Sequence, residues 1–299
     1  MDQVKRREEL YKLLGRLPSR EQEMTVETVF IEERESFVLE KLILNFNGME
    51  PVPAYFLKPK QVTGKVPVVL YNHSHGGYYH VGKEELLKGA PYMVPYGEAL
   101  AKRGIASFCI DAWGFGERSG KTESSIFKSM LWKGQVMWGM MVYDNLRALD
   151  YLLTRPDIDP NRVCTLGMSM GSTMAWWTAA LDTRIKVTVD ICCLTDYQAL
   201  IEEDGLDGHG IYYYVPDLLN HFTASEINAL IAPRAHLGLA GTQDSLTPLS
   251  GLHKIDRELQ QIYRNMDAED AWELLLYDVG HVETEEMRAA VLKFLDEHL

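Results

Sequence analysis

The chain has 299 residues, of which 46% are hydrophobic, and it carries a formal net charge of −13. This apolar content suffices for one large globular core, whereas an acidic chain without a basic stripe is a poor partner for nucleic acid. We expect no membrane span, because no stretch approaches 18 uncharged apolar residues. The first residues lack the apolar segment of a secretory signal, and the four cysteines form no CxxC motif, so we expect reduced thiols in a cytoplasmic protein.

Residues 2–15 are predicted to form an amphipathic helix, within an N-terminal helical extension placed at 1–34. Two strand-like runs, FVLEKLILNF and PVPAYFLK, flank Asn47-Gly48, which is typical of hairpins because both residues tolerate a positive φ. A long helix is predicted from about Gln135 to Thr154, where Pro156 stops it. The other strand-like runs alternate with helical ones and read VPVVLYN, IASFCI, VCTLG, IKVTVDICC, AHLGLAG and WELLLYDV.

This alternation predicts an α/β fold in a single domain spanning 1–299. The central sheet is expected to be mostly parallel, with an antiparallel hairpin at its N-terminal side and helices on both faces.

Ser169 lies in LGMSMGSTMAWW with the spacing G-x-S-x-G. That spacing arises by accident in roughly one chain in ten of this length. Whether it marks a nucleophile therefore depends on the secondary structure on either side of Ser169. Here it joins the strand RVCTLG to a helix, where a nucleophilic serine sits on a tight turn above the sheet edge. The helix N-terminus also favours negative charge near the hydroxyl. Ser169 is therefore the predicted nucleophile.

A serine nucleophile needs a base and an orienting acid. In this architecture they follow the serine in the order acid, then histidine, each directly after a strand. Asp244 follows AHLGLAG and His281 follows WELLLYDV, so we predict a Ser169–His281–Asp244 triad. Asp196, which also follows a strand, is the alternative acid.

A tetrahedral intermediate needs two donors for its oxyanion. The amide of Met170 is the first candidate because it follows the serine. The second is expected in HSHGGYY, directly after the strand VPVVLYN, where Gly77 is the first choice and Tyr78 the next. The side chains of His73 and His75 are expected to shape this loop rather than transfer protons.

Together these residues resemble the α/β-hydrolase superfamily over residues 35–299. The pieces that carry the resemblance are HSHGG, DAWGFGERSG, GMSMGS, GTQD and the final GH. Within the superfamily the chain is similar to bacterial dienelactone-hydrolase-like and acetyl-xylan-esterase-like serine esterases. It departs from the former by its serine nucleophile, and from the deacetylases by Met170 where they usually carry glutamine. Asp111, in the second motif, is expected to bond backbone amides of a turn.

Residues 196–225 lose the strand–helix rhythm and are predicted to form a small cap over the site. We predict that Tyr78, Trp113, His209 and Tyr213 line the substrate pocket; packing of the cap is an equal explanation for the tyrosines. No nucleotide-binding or H-E-x-x-H motif occurs, and the histidines lack metal-site spacing, so we expect neither a cofactor nor a metal.

The sequence thus predicts a carboxylesterase that cleaves small to medium soluble esters through an acyl-enzyme. The same triad could serve an amidase, an aminopeptidase-like enzyme or a carbon–carbon bond hydrolase, and the fold could serve a non-catalytic binding protein. The expected partner is a small-molecule ester, with no nucleic acid and no membrane. The edge of the N-terminal hairpin is a candidate contact for a homodimer.

Overall fold

The computed structural model describes residues 2–299, so Met1 lies outside the described residues. One nine-stranded sheet runs through the molecule in the order β1-β2-β3-β5-β4-β6-β7-β8-β9. The strands are β1 (Thr25–Glu33), β2 (Phe37–Asn45), β3 (Val52–Pro59), β4 (Val66–Asn72), β5 (Ala106–Ile110), β6 (Ile158–Met168), β7 (Val187–Ile191), β8 (Ala235–Gly241) and β9 (Trp272–Tyr277). The helices are α1 (Gln3–Leu13), α2 (Glu85–Lys88), α3 (Gly97–Ala101), α4 (Glu123–Trp132), α5 (Met137–Thr154), α6 (Met170–Leu181), α7 (Tyr197–Glu202), α8 (Ala224–Asn228), α9 (Leu249–Arg264) and α10 (Glu285–His298).

The first three strands pair antiparallel, and β3 joins β5 antiparallel. From β5 through β4 to β9 every pairing is parallel. The predicted α/β fold, with a mostly parallel sheet and an antiparallel N-terminal part, is thereby confirmed. Because parallel strands share one direction, the carboxyl ends of β4, β6, β7, β8 and β9 meet at one edge of the sheet.

The sheet is covered on both faces, which explains why its central strands are continuous apolar runs. In β4, Val66, Val68 and Leu70 face one buried cluster, whereas Val69 and Tyr71 face another. The first cluster includes apolar residues of α1, α5, α6 and α9, and the second those of α3 and α10. The two layers of helices thus fix the sheet rigidly behind its carboxyl edge.

The N-terminal extension predicted as helical is helical only in α1. Residues Thr25–Glu33 instead form β1, which pairs with β2. The N-terminal hairpin, predicted to form an exposed edge of the sheet, does not do so. β1 pairs with the outer side of the β2–β3 hairpin, so β1 is the edge strand. All nine β1 residues are exposed, so the strand shows none of the apolar–polar alternation from which strands are predicted.

Two further points concern the long connections. The predicted long helix is confirmed as α5, but α4, just before it, was not predicted. Segment 196–225 consists of α7, three short 3₁₀ turns and the start of α8. Among residues 2–299, every helix is too short or too polar to cross a bilayer.

Candidate active site

Ser169 occupies a sharp turn between β6 and α6. Its backbone has φ 59° and ψ −120°, a region that L-residues rarely adopt. Its amide donates to the Ile191 carbonyl at the end of β7 (2.9 Å), while its carbonyl accepts from Thr173 in α6. The turn is therefore held from the sheet and from the helix, and the serine side chain remains partly exposed at the carboxyl edge.

Two glycines make this turn sterically feasible. A Cβ on Gly171 would lie 2.0 Å from the Asn72 carbonyl oxygen, and one on Gly167 would lie 2.4 Å from the backbone of Gly171. Both contacts are with backbone, which cannot swing aside as a flexible side chain can. The glycines of G-x-S-x-G thus let α6 start directly against the end of β4.

We expect Gly171→Ala to lower the free energy of unfolding by about 3 kcal/mol, since overpacking against fixed atoms costs that much. Helix propensity alone would instead favour alanine by about 1 kcal/mol. A decrease in the free energy of unfolding therefore indicates the clash, whereas an increase would indicate its absence. Urea unfolding monitored by circular dichroism gives the value. Gly64→Ala is the control: a Cβ there meets nothing within 4 Å, and only the left-handed backbone costs about 1–2 kcal/mol. Equal losses in both variants would contradict the role of Gly171.

His281 and Asp244 form a close pair at the ends of β9 and β8. The His281 Nδ1 lies 2.7 Å from Asp244 Oδ2, and the Asp244 side chain is fully buried. The other carboxylate oxygen accepts the Leu246 amide (2.9 Å), which fixes the rotation of the group. Because an ionised carboxylate accepts only, Nδ1 carries the proton, and the neutral form of the ring has its lone pair on Nε2.

The structure pairs His281 with Asp244 and gives Asp196 other contacts. Asp196 is the N-cap of α7, where its Oδ1 accepts the Ala199 amide (2.9 Å), and its Oδ2 binds Lys254 Nζ at 3.0 Å. Both carboxylate oxygens of the alternative acid are therefore occupied by structural partners.

Cys192 is a neighbour of this pair that sequence reasoning did not connect with the site. It follows β7 directly, and its amide donates to the Leu239 carbonyl of β8 (2.7 Å). Its Sγ and one ligand atom from each of Asp244 and His281 all lie within 4.8 Å of one another. The Ser169 amide is hydrogen-bonded to Ile191, the residue before Cys192. Ser169, Cys192, Asp244 and His281 therefore lie together at the carboxyl edge of the sheet.

The loop after β4 is held by its two histidines, as predicted. His73 Nε2 accepts the Ala112 amide and its Nδ1 lies 2.9 Å from the Ser74 carbonyl. Burial lowers the pKa of His73, so the ring stays neutral and committed to backbone. His75 Nδ1 accepts the Gly77 amide (3.0 Å), which requires its Nε2 to carry the proton and donate to Glu123 (2.8 Å).

Glu123, the first residue of α4, thus reaches the loop after β4 although the sequence does not suggest it. Its Oε2 also accepts from the Tyr79 hydroxyl (3.1 Å). These hydrogen bonds, with His75 first, lower the pKa of Glu123 against the opposing effect of burial. The His75 ring is enclosed by Tyr79, Phe115 and Tyr212, with Tyr212 stacked on it at 5.3 Å.

The Gly77 amide, predicted as an oxyanion donor, is therefore engaged by His75 in this structure. The space around Gly77 is nevertheless open, since a Cβ there would meet nothing within 4 Å. Met170 is the first residue of α6, at the positive end of the helix.

Replacing His75 with alanine is expected to lower kcat for ester hydrolysis by about 10- to 100-fold, with little change in KM. The reason is that the loop loses one of its two aromatic hydrogen bonds to Glu123 of α4, the other being that of Tyr79. If the loop supplies an oxyanion donor, loosening that donor costs part of the 10²–10³-fold effect of losing it. Steady-state kinetics with p-nitrophenyl acetate measure this. His80→Ala is the matched control, because His80 is exposed on the same loop. If both variants keep the wild-type kcat, His75 does not hold the loop for catalysis.

The four predicted pocket residues have different surroundings. Trp113 is buried beneath the Arg118 guanidinium (4.4 Å) and lines a cavity of about 770 Å³ beside α4. Tyr78 is exposed next to Tyr92. Tyr213 is buried and stacks on His209 (4.5 Å), whose Nε2 lies 2.9 Å from the Leu246 carbonyl. Burial lowers the pKa of His209, so its ring is a neutral support for the Asp244 loop.

The sheet and the strained serine turn define an α/β-hydrolase. The sequence model of the acetyl xylan esterase family (AXE1) matches residues 22–212. A Bacillus subtilis (strain 168) protein named YtaP and assigned to the hydrolases is 51% identical over 298 residues, which cover 99% of each chain. The chain therefore belongs to the acetyl xylan esterase family, and it is a carboxylic ester hydrolase.

Solved structures agree on the fold. A Bacteroides fragilis NCTC 9343 protein assigned as an acetyl xylan esterase has a TM-score of 0.72 at 20% identity, over 93% of this chain and 74% of its own. A glucuronoyl esterase from Solibacter usitatus has a TM-score of 0.70 at 16% identity, over 98% of this chain and 91% of its own. At such identities the likeness shows a shared architecture.

Proposed function

We propose that Ser169, His281 and Asp244 are the nucleophile, the general base and the orienting acid of this esterase. The observation that carries the proposal is the 2.7 Å contact between His281 Nδ1 and the buried Asp244 carboxylate. A base oriented in this way presents the Nε2 lone pair, which is what removes a proton from a serine hydroxyl. The strained turn at Ser169 supports the same assignment, because backbone strain clusters at functional positions.

The reaction follows from these roles. Ser169 Oγ attacks the ester carbonyl while its proton passes to His281 Nε2, and the Asp244 carboxylate stabilises the imidazolium. The imidazolium then returns the proton to the leaving alkoxide, which departs as the alcohol and leaves an acyl-serine. Water repeats the sequence on the acyl-enzyme and releases the acid.

We propose the amides of Met170 and Gly77 as donors to the oxyanion. Met170 begins α6, so the positive end of the helix adds to its donor strength. The Gly77 amide has to exchange His75 Nδ1 for the substrate oxygen, and the open space around Gly77 supports such an exchange. The hydrogen bond from His75 to Glu123 keeps the loop in position meanwhile.

The proposed substrates are short-chain esters, acetates first, of polar alcohols. The name of the matching family, acetyl xylan esterase, supports acetyl groups and a polar, carbohydrate-like alcohol. Segment 196–225 is proposed as a small cap, because its Tyr212 and Tyr213 contact Trp138 of α5, and Tyr212 also contacts His75 of the loop after β4.

A turnover panel tests this proposal. We expect p-nitrophenyl acetate to react faster than the butyrate and the octanoate, and acetylated xylo-oligosaccharides to release acetate. Aminoacyl p-nitroanilides and a β-diketone, the substrates of an amidase and of a carbon–carbon bond hydrolase, should react far more slowly. Faster turnover of an anilide or a diketone would assign this site to an amidase or a carbon–carbon bond hydrolase instead of an esterase. If a small phosphonate did not label Ser169, the assignment of Ser169 as the nucleophile would fail.

We propose a small-molecule ester as the partner, without nucleic acid or membrane, in keeping with the net charge of −13. A cytoplasmic location is supported by the four cysteines, which are all buried and free.

A homodimer is proposed through β1, whose exposed Val26, Phe30 and Ile31 lie on the open edge of the sheet. Light scattering on the wild type and on Ile31→Lys tests it: a monomeric wild type would end the proposal.

A further inference from the structure

Cys192 is placed against the proposed acid and base by an unusual backbone conformation. Its φ is 56°, in the left-handed region that non-glycine residues seldom adopt. The side chain is buried, and its Sγ lies 3.8 Å from the carbonyl oxygen of Val282, the residue after His281. The thiol therefore lies between the ends of β7, β8 and β9, beside the His281–Asp244 pair.

A thiolate, an imidazole nitrogen and a carboxylate oxygen are ligands that Zn²⁺ prefers. At bond lengths of about 2.0 Å to nitrogen and oxygen and 2.3 Å to sulfur, tetrahedral ligand atoms lie about 3.3–3.8 Å apart. The corresponding atoms of Cys192, Asp244 and His281 already lie within 4.8 Å of one another. A contraction of about 1 Å would complete the site, and His281, on a short loop and partly exposed, can supply it.

We propose that Cys192, Asp244 and His281 form a Zn²⁺ site that inhibits the esterase. The three residues follow three adjacent strands, so the rigid sheet brings them together. Water would fill the fourth position, as is usual for three-ligand zinc sites. Softer Cd²⁺ should bind the same thiolate, whereas Mg²⁺ prefers oxygen ligands and should not.

The inhibition, which rests on the proposed function, follows from the position of the His281 proton when zinc is bound. Zinc bonds to Sγ, to an Asp244 carboxylate oxygen and to His281 Nδ1, and the thiol proton leaves to solvent. The proton of His281 Nδ1 passes through solvent to Nε2, so the hydrogen bond from Nδ1 to Asp244 is lost. A neutral imidazole bound through Nδ1 carries its proton on Nε2. It then has no lone pair with which to accept the Ser169 proton, and the nucleophile is not activated.

Inhibition of the full chain by Zn²⁺ is the first test, with each variant compared with its own metal-free rate. We expect Zn²⁺ to reduce wild-type turnover of p-nitrophenyl acetate at least tenfold, EDTA to restore it, and Mg²⁺ to have no effect. Cys192→Ala should be inhibited less than twofold at the same Zn²⁺ concentration. Cys193→Ala is the matched control: this neighbour is also buried, but its Sγ contacts Thr195, so the variant should remain sensitive. Equal inhibition of wild type and Cys192→Ala would overturn the proposal.

Binding is tested separately from activity by Cd²⁺, whose thiolate complexes have a charge-transfer absorption in the ultraviolet. The band should appear with wild type and with catalytically dead Ser169→Ala, which keeps all three ligands. It should be absent with Cys192→Ala and with Cys192→Ser, which replaces the thiol by a hydroxyl of similar size. A wild-type protein without the band would overturn the site, whereas failure of the proposed esterase function would show as absent turnover before any metal is added.

Discussion

Replacing Ser169 with alanine is expected to lower kcat for p-nitrophenyl acetate by about 10⁴- to 10⁶-fold, with KM changed little. In the proposed mechanism the hydroxyl oxygen of Ser169 forms the acyl-enzyme, so its removal eliminates the covalent route, while the proposed oxyanion donors remain. Residual turnover should then come from water alone and show no initial burst of nitrophenolate. Stopped-flow and steady-state kinetics on the purified variant measure both quantities.

Ser172→Ala provides the control for that experiment. Ser172 lies in the first turn of the same helix and is fully buried, but it is close to Asp190 in the core rather than to the sheet edge. It should retain wild-type turnover and remain reactive toward a phosphonate label, which Ser169→Ala should not bind. Substantial hydrolysis by Ser169→Ala would transfer the esterase activity to another group.

The second large effect is expected from Asp244→Asn, which should reduce kcat by about 10⁴-fold. The amide that replaces the carboxylate no longer holds a proton on His281 Nδ1 and offers no charge to the imidazolium. The neutral ring can then place its proton on Nε2, where it cannot accept one from serine. The pH profile of kcat, together with ¹H NMR of the imidazole protons, distinguishes a tautomer change from misfolding.

Asp196→Asn is the matched comparison, because the sequence offered both carboxylates as acids. Asparagine can still cap α7 through its side-chain oxygen, and the lost pair with Lys254 is partly exposed and contributes little. We expect kcat to remain at the wild-type level. If Asp196→Asn were the more damaging of the two, the roles of the two carboxylates would have to be exchanged.

The features that the sequence revealed are those encoded by local pattern. Buried parallel strands read as short apolar runs, and Ser169, Asp244 and His281 could each be placed after such a run before the structure was known. The strand β1 escaped prediction because an edge strand exposed on all nine residues has no buried face to impose alternation.

Features that depend on contacts between distant segments could not be read in the same way. Glu123 is 48 residues from His75 in sequence, and its stretch TESSIFK carries no motif. The engagement of Gly77 by His75 depends on a tautomer that Glu123 selects. Cys192 looked like an ordinary strand cysteine, and only the left-handed backbone after β7 places its sulfur beside two other strand ends. Metal-site spacing in sequence is uninformative when each ligand comes from a different strand.

The aromatic packing around α5 has an optical consequence. Trp138 is fully buried, and its ring lies 5.8 Å from that of Tyr212 and 6.3 Å from that of Tyr213, both in segment 196–225. If that segment separated from the body, the indole of Trp138 would enter water and its fluorescence would shift to longer wavelength. Trp132 is 94% exposed, so Trp132→Phe removes the constant contribution from solvent-exposed emission. In that variant, the emission spectrum without any added dye would report the fraction of molecules in which the segment is open, and a substrate analogue would shift the spectrum toward the blue if it holds the segment closed.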